Sequence, residues 1–519
     1  MRSKVHTAIY LTGLITMAFF MPLSLFITNA ATIMIVVNWF VECGFRDKWG
    51  RIKANKEALV FCAIYVAHLL WLINTSNFDY ALADLRVKVP LLALPIVLGS
   101  SAPLPMKRLN VVLLAFVSGV TVASCIGAFA KFLGLGSDFR ALSLFVSNIR
   151  LSLMICLSVF ILLYFMVKKI FFSGKTVWIA TVMVLWLLAF MSMIQSITGY
   201  VSFFLVLFVL LAAVAHYAKR KLFKVASIVM LVVVPLVVFG FVAFVVHDFY
   251  TPTGDNVQKE LTANGIAYDV VESDGTIENG NYVWMNVSKR ELMEAWPKYS
   301  RMPLDSLDKK GQFLYPTLVR YMTSLGLTKD AEGLSKLSRQ DIENVENGET
   351  NYRFVRNGGL MNRMYVIIWE FDVYRKIGDC NGHSVTQRIE FLKYGCRLVA
   401  RNFWYGTGVG DVDDEYQAIY EDYSSDLNPE NRFRAHNQFL TFFVAFGLFG
   451  FLICMFAWFY PAVSGFKERN YYFCIFFLIA TVSMFSDDTL ETSTGAVFVA
   501  YFYSLLKWST DKKELHDGQ

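Results

Sequence analysis

Residues 432 to 450 read RFRAHNQFLTFFVAFGLFG: two arginines, a histidine and two amides stand directly before an almost wholly apolar run. His436 is one of seven histidines, and an imidazole exchanges protons near neutral pH. Arg432 and Arg434 carry the planar fork that pairs with carboxylate or phosphate. Further cations stand nearby in the chain, at Arg388, Arg397 and Arg401, and Arg150 lies at the start of an earlier apolar segment. The stretch FSDDTLET adds Asp487, Asp488 and Glu491 just before the last apolar segment, where a carboxylate would orient a hydroxyl or an imidazole. Together these types suit acid–base work on an anionic ligand. Taken singly, each has a plainer role: arginines snorkel from helix ends, a histidine caps a helix, and acids line an exposed turn.

Other chemistries have no motif here. The sequence holds no CxxC pair, no HExxH, no nucleophile elbow around a serine and no phosphate-loop lysine. GTGVGD at 406–411 has the glycines of a phosphate loop but no following Lys-Ser/Thr. It reads as a glycine-rich turn closing the helix expected near 386–403. No metal site, no cofactor and no nucleic-acid partner are expected.

The elements that would position these residues follow from composition. Of 519 residues, 55% are hydrophobic, 16% aromatic and only 17% charged, against about 25% charged in soluble domains. Phe (46) and Tyr (25) are abundant, as in chains whose helices meet lipid and its interfaces. The reading is an all-α polytopic membrane protein. Apolar stretches of spanning length fall near 8–26, 29–43, 57–74, 87–101, 109–133, 149–167, 176–194, 198–216 and 224–246. After a long polar region, three more fall near 437–460, 470–486 and 494–508. Residues 8–26 follow Arg2 and Lys4 and are read as a first span rather than a cleaved leader.

About twelve spans also satisfy the distribution of positive charge. RDKWGRIKANK (46–56), Lys107 with Arg108, Lys168 with Lys169 and Lys175, KRK at 219–221, Lys467 with Arg469, and Lys507, Lys512 and Lys513 then share one side. Lys/Arg-rich short loops are cytoplasmic, so both termini are expected inside. The domains expected are a membrane part (1–246, helices 1–9), an external loop domain (247–435), a second membrane part (436–508, helices 10–12) and a cytoplasmic tail (509–519). The external domain, between helices 9 and 10, is expected to be mainly helical, with helical periodicity at 360–377 and 386–402. Of eight cysteines, only Cys380 and Cys396 fall in it, where an oxidising compartment would permit a bridge. External loops should be poor in Lys/Arg, which makes the outer arginines informative.

At this point the chain resembles the O-antigen ligase and O-antigen polymerase superfamily of bacterial inner-membrane proteins, most closely the ligase branch. The resemblance rests on His436, Asn437 and Leu440 followed by Gly447, Leu448 and Gly450; on QRIEFLKYGCRLVARNFWYGTGVGD (387–411), where Arg388 takes the place of the family's helix arginine; and on the layout. One departure stands out: where the family often has a Ser-Arg-x-Gly element, this chain reads QSITGY (195–200), with Ile197 at the arginine's place. Arg150 is the candidate substitute.

What the resemblance implies is glycosyl transfer at the outer face of the inner membrane, with the large loop periplasmic. The donor would be a polyprenyl-diphosphate-linked glycan and the acceptor lipid A–core. His436 and Arg388 would be catalytic, Arg434, Arg150 and Arg401 would bind the pyrophosphate, and Asn437 and Asp488 would support them, without a metal. A polymerase extending a second lipid-linked glycan, or a protein O-oligosaccharyltransferase, would use the same donor. A transporter, the reading from another class, predicts ionisable residues near the bilayer midplane. The spans hold almost none, His68 being an exception expected to hydrogen-bond inside the bundle.

Overall fold

A computed structural model describes residues 2–134, 142–254, 256–270, 275–356 and 359–510. Every expected apolar stretch is helical: Arg2–Phe20, Leu25–Val41, Lys56–Asn74, Pro90–Ser100, Met106–Phe132, Asn148–Val167, Gly174–Ile194, Ile197–Tyr217, Lys221–Tyr250, Gln438–Lys467, Tyr471–Ser486 and Ser493–Lys507. Among the described residues, seven helices are long and apolar enough to cross a membrane alone, or up to eight if Leu25–Val41 and Phe45–Ala54, bent by 116°, form one broken span. The chain is an all-α polytopic membrane protein. The remaining helices are short. Tyr471–Ser486 has 16 residues, about 24 Å of helix against a hydrocarbon core of about 30 Å. The tail with Lys512 and Lys513 lies outside the described residues.

The chain divides into two compact units, Met1–Ala213 with Arg388–Gln519, and Val214–Gln387. In the first, Ser493–Lys507 is an interior helix, buried without interruption from Gly495 to Lys507. That explains its tyrosines, because a buried hydroxyl needs an acceptor. Tyr501 donates to the Leu14 carbonyl and Tyr503 to that of Trp458, each at 2.8 Å.

The second unit builds its core around Trp296, from Val283, Leu292, Leu318, Met322 and Leu334. Two aromatic segments of the polar region, 281–285 and 313–322, feed that core. Among its buried charged groups is Glu278, paired with Arg320 at 2.6 Å and accepting from the Asn351 amide at 2.8 Å. A small antiparallel pair, Ile277–Glu278 with Asn281–Tyr282, interrupts the helices. Gly359–Ile377 matches the helical periodicity expected at 360–377, and Thr386–Arg401, which runs on into the first unit, matches that at 386–402. The bridge considered for Cys380 and Cys396 is not formed.

One feature of the first unit departs from a plain span. The Gln438–Lys467 helix is broken at Gly447, whose φ of 60° and ψ of −166° lie in territory open essentially to glycine alone. The backbone after the Thr386–Arg401 helix fills the break. Thr407 N–H donates to the Val444 carbonyl (2.8 Å), Gly408 N–H to that of Ala445 (3.0 Å), and Leu448 N–H to that of Phe403 (2.8 Å). Hydrogen bonds that the break would orphan inside a membrane protein are thus made elsewhere. The GTGVGD stretch is the turn that does this, with Gly406 and Gly408 at φ +70° and +96°.

Candidate functional site

Asn437 begins the site by starting a helix. Its Oδ1 accepts the Leu440 N–H at 3.0 Å, a capping bond that satisfies one open donor of the first turn. Its Nδ2 donates to the Phe485 carbonyl at 3.1 Å, fastening that turn to the segment before Asp487 and Asp488. His436, immediately ahead, takes a left-handed conformation with φ +46°, uncommon for a residue with a side chain. Its ring sits 5.9 Å from that of Phe391, on the Thr386–Arg401 helix. That helix approaches closely at Gly395, where an added Cβ would stand 2.8 Å from the Leu440 side chain. Arg388 lies one helical turn before Phe391 and is half-buried.

The acidic loop completes the arrangement. Asp488 Oδ2 is 3.7 Å from His436 Nδ1, while its Oδ1 accepts from Thr441 Oγ1 at 2.8 Å. One carboxylate therefore hydrogen-bonds the first turn of the helix and stands beside the imidazole. Arg150 is buried and pairs with Asp487; it also donates to the Asp488 carbonyl (3.3 Å) and to Thr492 Oγ1 (3.2 Å). Two residues on, Ser152 donates to Ser196 Oγ at 2.8 Å, and Thr198 and Ser486 hydroxyls lie 2.9 Å apart. The start of Ile197–Tyr217 is thereby held beside Arg150 and the acidic loop.

Burial, then the positive fields of Arg388, Arg434 and Arg150, pull the His436 pKa down from 6.5 to about 4. The imidazole is neutral at pH 7, so its contact with Asp488 is not a pair of opposite charges. Burial and the nearby Glu491 push Asp488 the other way, to about 6. Arg434 stays charged. Burial works against its charge, but Glu491 and Asp413 outweigh it and hold its pKa above the usual value.

Of the residues singled out in the sequence, His436, Arg388, Arg434, Arg150, Asn437 and Asp488 come together. Arg401 does not join them. It stands 13 positions beyond Arg388 on one helix, about 20 Å along the axis, and pairs with Asp422 at 3.0 Å, both more than half exposed. Arg397 stacks over Tyr423 at 4.1 Å, and Arg432 donates to the Leu427 carbonyl at 3.0 Å.

Sequence reading passed over the partners of Arg434. Its Nε meets Asp413 at 3.3 Å, its Nη1 meets Glu491 at 3.3 Å, and its Nη2 donates to the Tyr80 hydroxyl at 2.5 Å. Glu491 also accepts from Lys88 at 2.7 Å and from Gln438 Nε2 at 2.9 Å. Lys88 is fully buried and pairs with Asp84 as well. His68, with its Nδ1 2.7 Å from the Ile64 carbonyl, lines a small cavity with Tyr80, Lys88, Arg434 and Glu491. The available signal was Asp84 and Lys88 spaced i, i+4 at the edge of an apolar stretch, where a buried lysine needs acidic partners.

Chemically, the arrangement offers a neutral base beside a carboxylate, ringed by guanidinium groups. Among the described residues, no group of three or more His, Cys, Asp or Glu side chains is placed to hold a metal ion. No curated protein matches the chain. Residues 337–455, which carry the Arg388 helix, the glycine turn and His436, match the family model described as O-antigen ligase, and that match supports placing this membrane protein in the O-antigen ligase/polymerase superfamily, with a glycosyltransferase-like ligase or polymerase activity.

Proposed function

We propose that the protein is an O-antigen ligase-type glycosyltransferase, moving a glycan from a polyprenyl-diphosphate carrier to a hydroxyl of lipid A–core at the outer face of the inner membrane. The carrying observation is the uncharged His436, 3.7 Å from Asp488 and surrounded by Arg388, Arg434 and Arg150. The residues 247–435 would then be periplasmic, in keeping with the distribution of Lys and Arg. In the reaction, the acceptor oxygen attacks the anomeric carbon and its proton passes to His436 Nε2 or Nδ1. The bond from the anomeric carbon to the phosphate oxygen breaks, and the electron pair leaves on the diphosphate. Arg388 meets that developing charge, with Arg434 and Arg150 adding positive field. Arg150 would supply the charge that the family pattern places at Ile197. Arg434 Nε, now facing Asp413, could meet phosphate by exchanging that partner, and Arg401 is too distant to share in the first contact. Asp488 stands within reach to orient the imidazole as the site closes on substrate, and Asn437 fixes the helix start ahead of which it lies.

Removing the base or the principal cation should be severe. His436→Ala and Arg388→Ala are each expected to lower transfer about 100- to 10,000-fold while the protein still inserts in the membrane. Intact glycan attachment in both variants would sink the assignment. Deleting the gene and analysing surface lipopolysaccharide separates the alternatives. Core lacking long glycan, with lipid-linked polymer accumulating, is the expected result for a ligase. Core bearing a single repeat would identify a polymerase, and normal lipopolysaccharide with unglycosylated envelope proteins a protein O-oligosaccharyltransferase.

A further inference from the structure

The helix Val412–Asp422 begins among four acids, Asp411, Asp413, Asp414 and Glu415, of which Asp411 and Asp414 serve the fold. Asp411 accepts the backbone N–H groups of Ser76 and Asn77, each at 2.7 Å. Asp414 accepts from the Asn77 side-chain amide at 3.0 Å. Asp413 instead meets Arg434 Nε at 3.3 Å. Arg434 is thus held on two sides by acids of opposite character. The Glu491 side chain is 8% exposed and shared with Lys88 and Gln438, whereas that of Asp413 is 46% exposed.

We infer that Asp413 is a placeholder anion: it occupies the edge of Arg434 that a diphosphate takes, and the arriving donor displaces it while Glu491 stays. The inference rests on the donor chemistry proposed above. A half-exposed ion pair is weak and exchanges readily. A buried one cannot be broken without stranding a charge, here Lys88 as well as Arg434. The carboxylate keeps a mostly buried guanidinium paired while the site is empty. It also sets a threshold at that edge, because an anion gains the Arg434 Nε position only by competing better than Asp413. A diphosphate, with several charged oxygens matched to the guanidinium fork, meets that threshold better than a single carboxylate.

The test measures binding of inorganic diphosphate to the full-length protein in lipid nanodiscs, at one salt concentration. Asp413→Asn is expected to tighten binding about two- to fivefold, the strength of one half-exposed pair. Asp414→Asn removes the same formal charge from the same helix start and is expected to change binding little. The gain from Asp413→Asn should vanish in the Arg434→Ala background. Equal tightening by Asp413→Asn and Asp414→Asn, or none by Asp413→Asn while Arg388→Ala still weakens binding, overturns the placeholder and leaves the proposed function standing. Diphosphate binding that neither Arg388→Ala nor Arg434→Ala weakens refutes the donor chemistry itself, and the placeholder with it. Each variant is first checked for wild-type unfolding temperature.

Discussion

For the proposed role, His436 must be uncharged, and the positive side chains around it ensure that. A free imidazole is half protonated near 6.5, whereas burial and then Arg388, Arg434 and Arg150 bring His436 to about 4. A lowered pKa means the folded protein binds fewer protons than the unfolded chain between those values. The stability from His436 is therefore present above 6.5 and lost as pH falls toward 4. Asp488, raised from 3.8 to about 6, acts in the opposite sense: its contribution is full below 3.8 and lost as pH rises through 6. For catalysis the two combine into an acid limb with a first step as Asp488 protonates and a second as His436 does. Arg388→Gln removes one of the charges holding His436 down, so the lower step in its residual activity should move upward, toward 6.5. A pH–rate profile of the purified variant checks this, and an unmoved limb would remove Arg388 from the electrostatics of the base. At this scale the sequence was informative about residue types: His436, Asn437, Arg388 and Asp488 were all singled out. It was silent about who pairs with whom, and Arg401 shows why. Its type matched the role, but its position along the helix placed it at Asp422.

At the scale of elements, apolar length showed where helices run but not where one breaks. Residues 437–460 read as a continuous span because Gly447 in an apolar run looks like any membrane glycine. The break depends on a partner distant in sequence, the 403–408 backbone that hydrogen-bonds into it. The same stretch was legible as a glycine-rich turn, though not as the piece that mends the helix. A Cβ on Gly447 would lie 2.4 Å from both the Trp404 carbonyl carbon and the Tyr405 nitrogen, in a conformation strained for any side chain. Gly447→Ala should therefore cost about 2 kcal/mol or more and loosen the Arg388 helix from His436. Gly240→Ala is the contrast. It lies inside the Lys221–Tyr250 helix with nothing within 4 Å of the added carbon, so it should be neutral or slightly stabilising. Unfolding temperatures of the two variants in detergent compare them directly, and an unchanged Gly447→Ala would mean the turn does not hold the broken helix.

At the scale of the whole chain, charge inside an apolar body has to be balanced by residues that the sequence keeps far apart. Lys88 and Glu491 are 403 positions apart, yet the buried pair joins the Phe78–Lys88 helix to the acidic loop. Gln438 and Arg434 tie the same carboxylate to the helix that starts the site. Positive-charge counting on loops gives an expected orientation of the spans, because it needs only sequence order. It could not find this network, because burial, not spacing, creates the need for it. Breaking one partner leaves the other charge uncompensated, which typically costs about 3–5 kcal/mol, whereas replacing both with apolar groups of similar size is often nearly neutral. Glu491→Gln alone should therefore destabilise strongly, since Lys88 and Arg434 both lose their shared anion. Adding Lys88→Met should recover part of that loss, though not all, because Arg434 remains short of a partner and Asp84 is left without its lysine. The interaction energy from the double-mutant cycle, measured by unfolding of the detergent-solubilised protein, is expected to be favourable between the two native residues. Additive effects would show that the acidic loop is held by its contacts with Arg150 and Thr441 instead, and that Glu491 serves Arg434 alone.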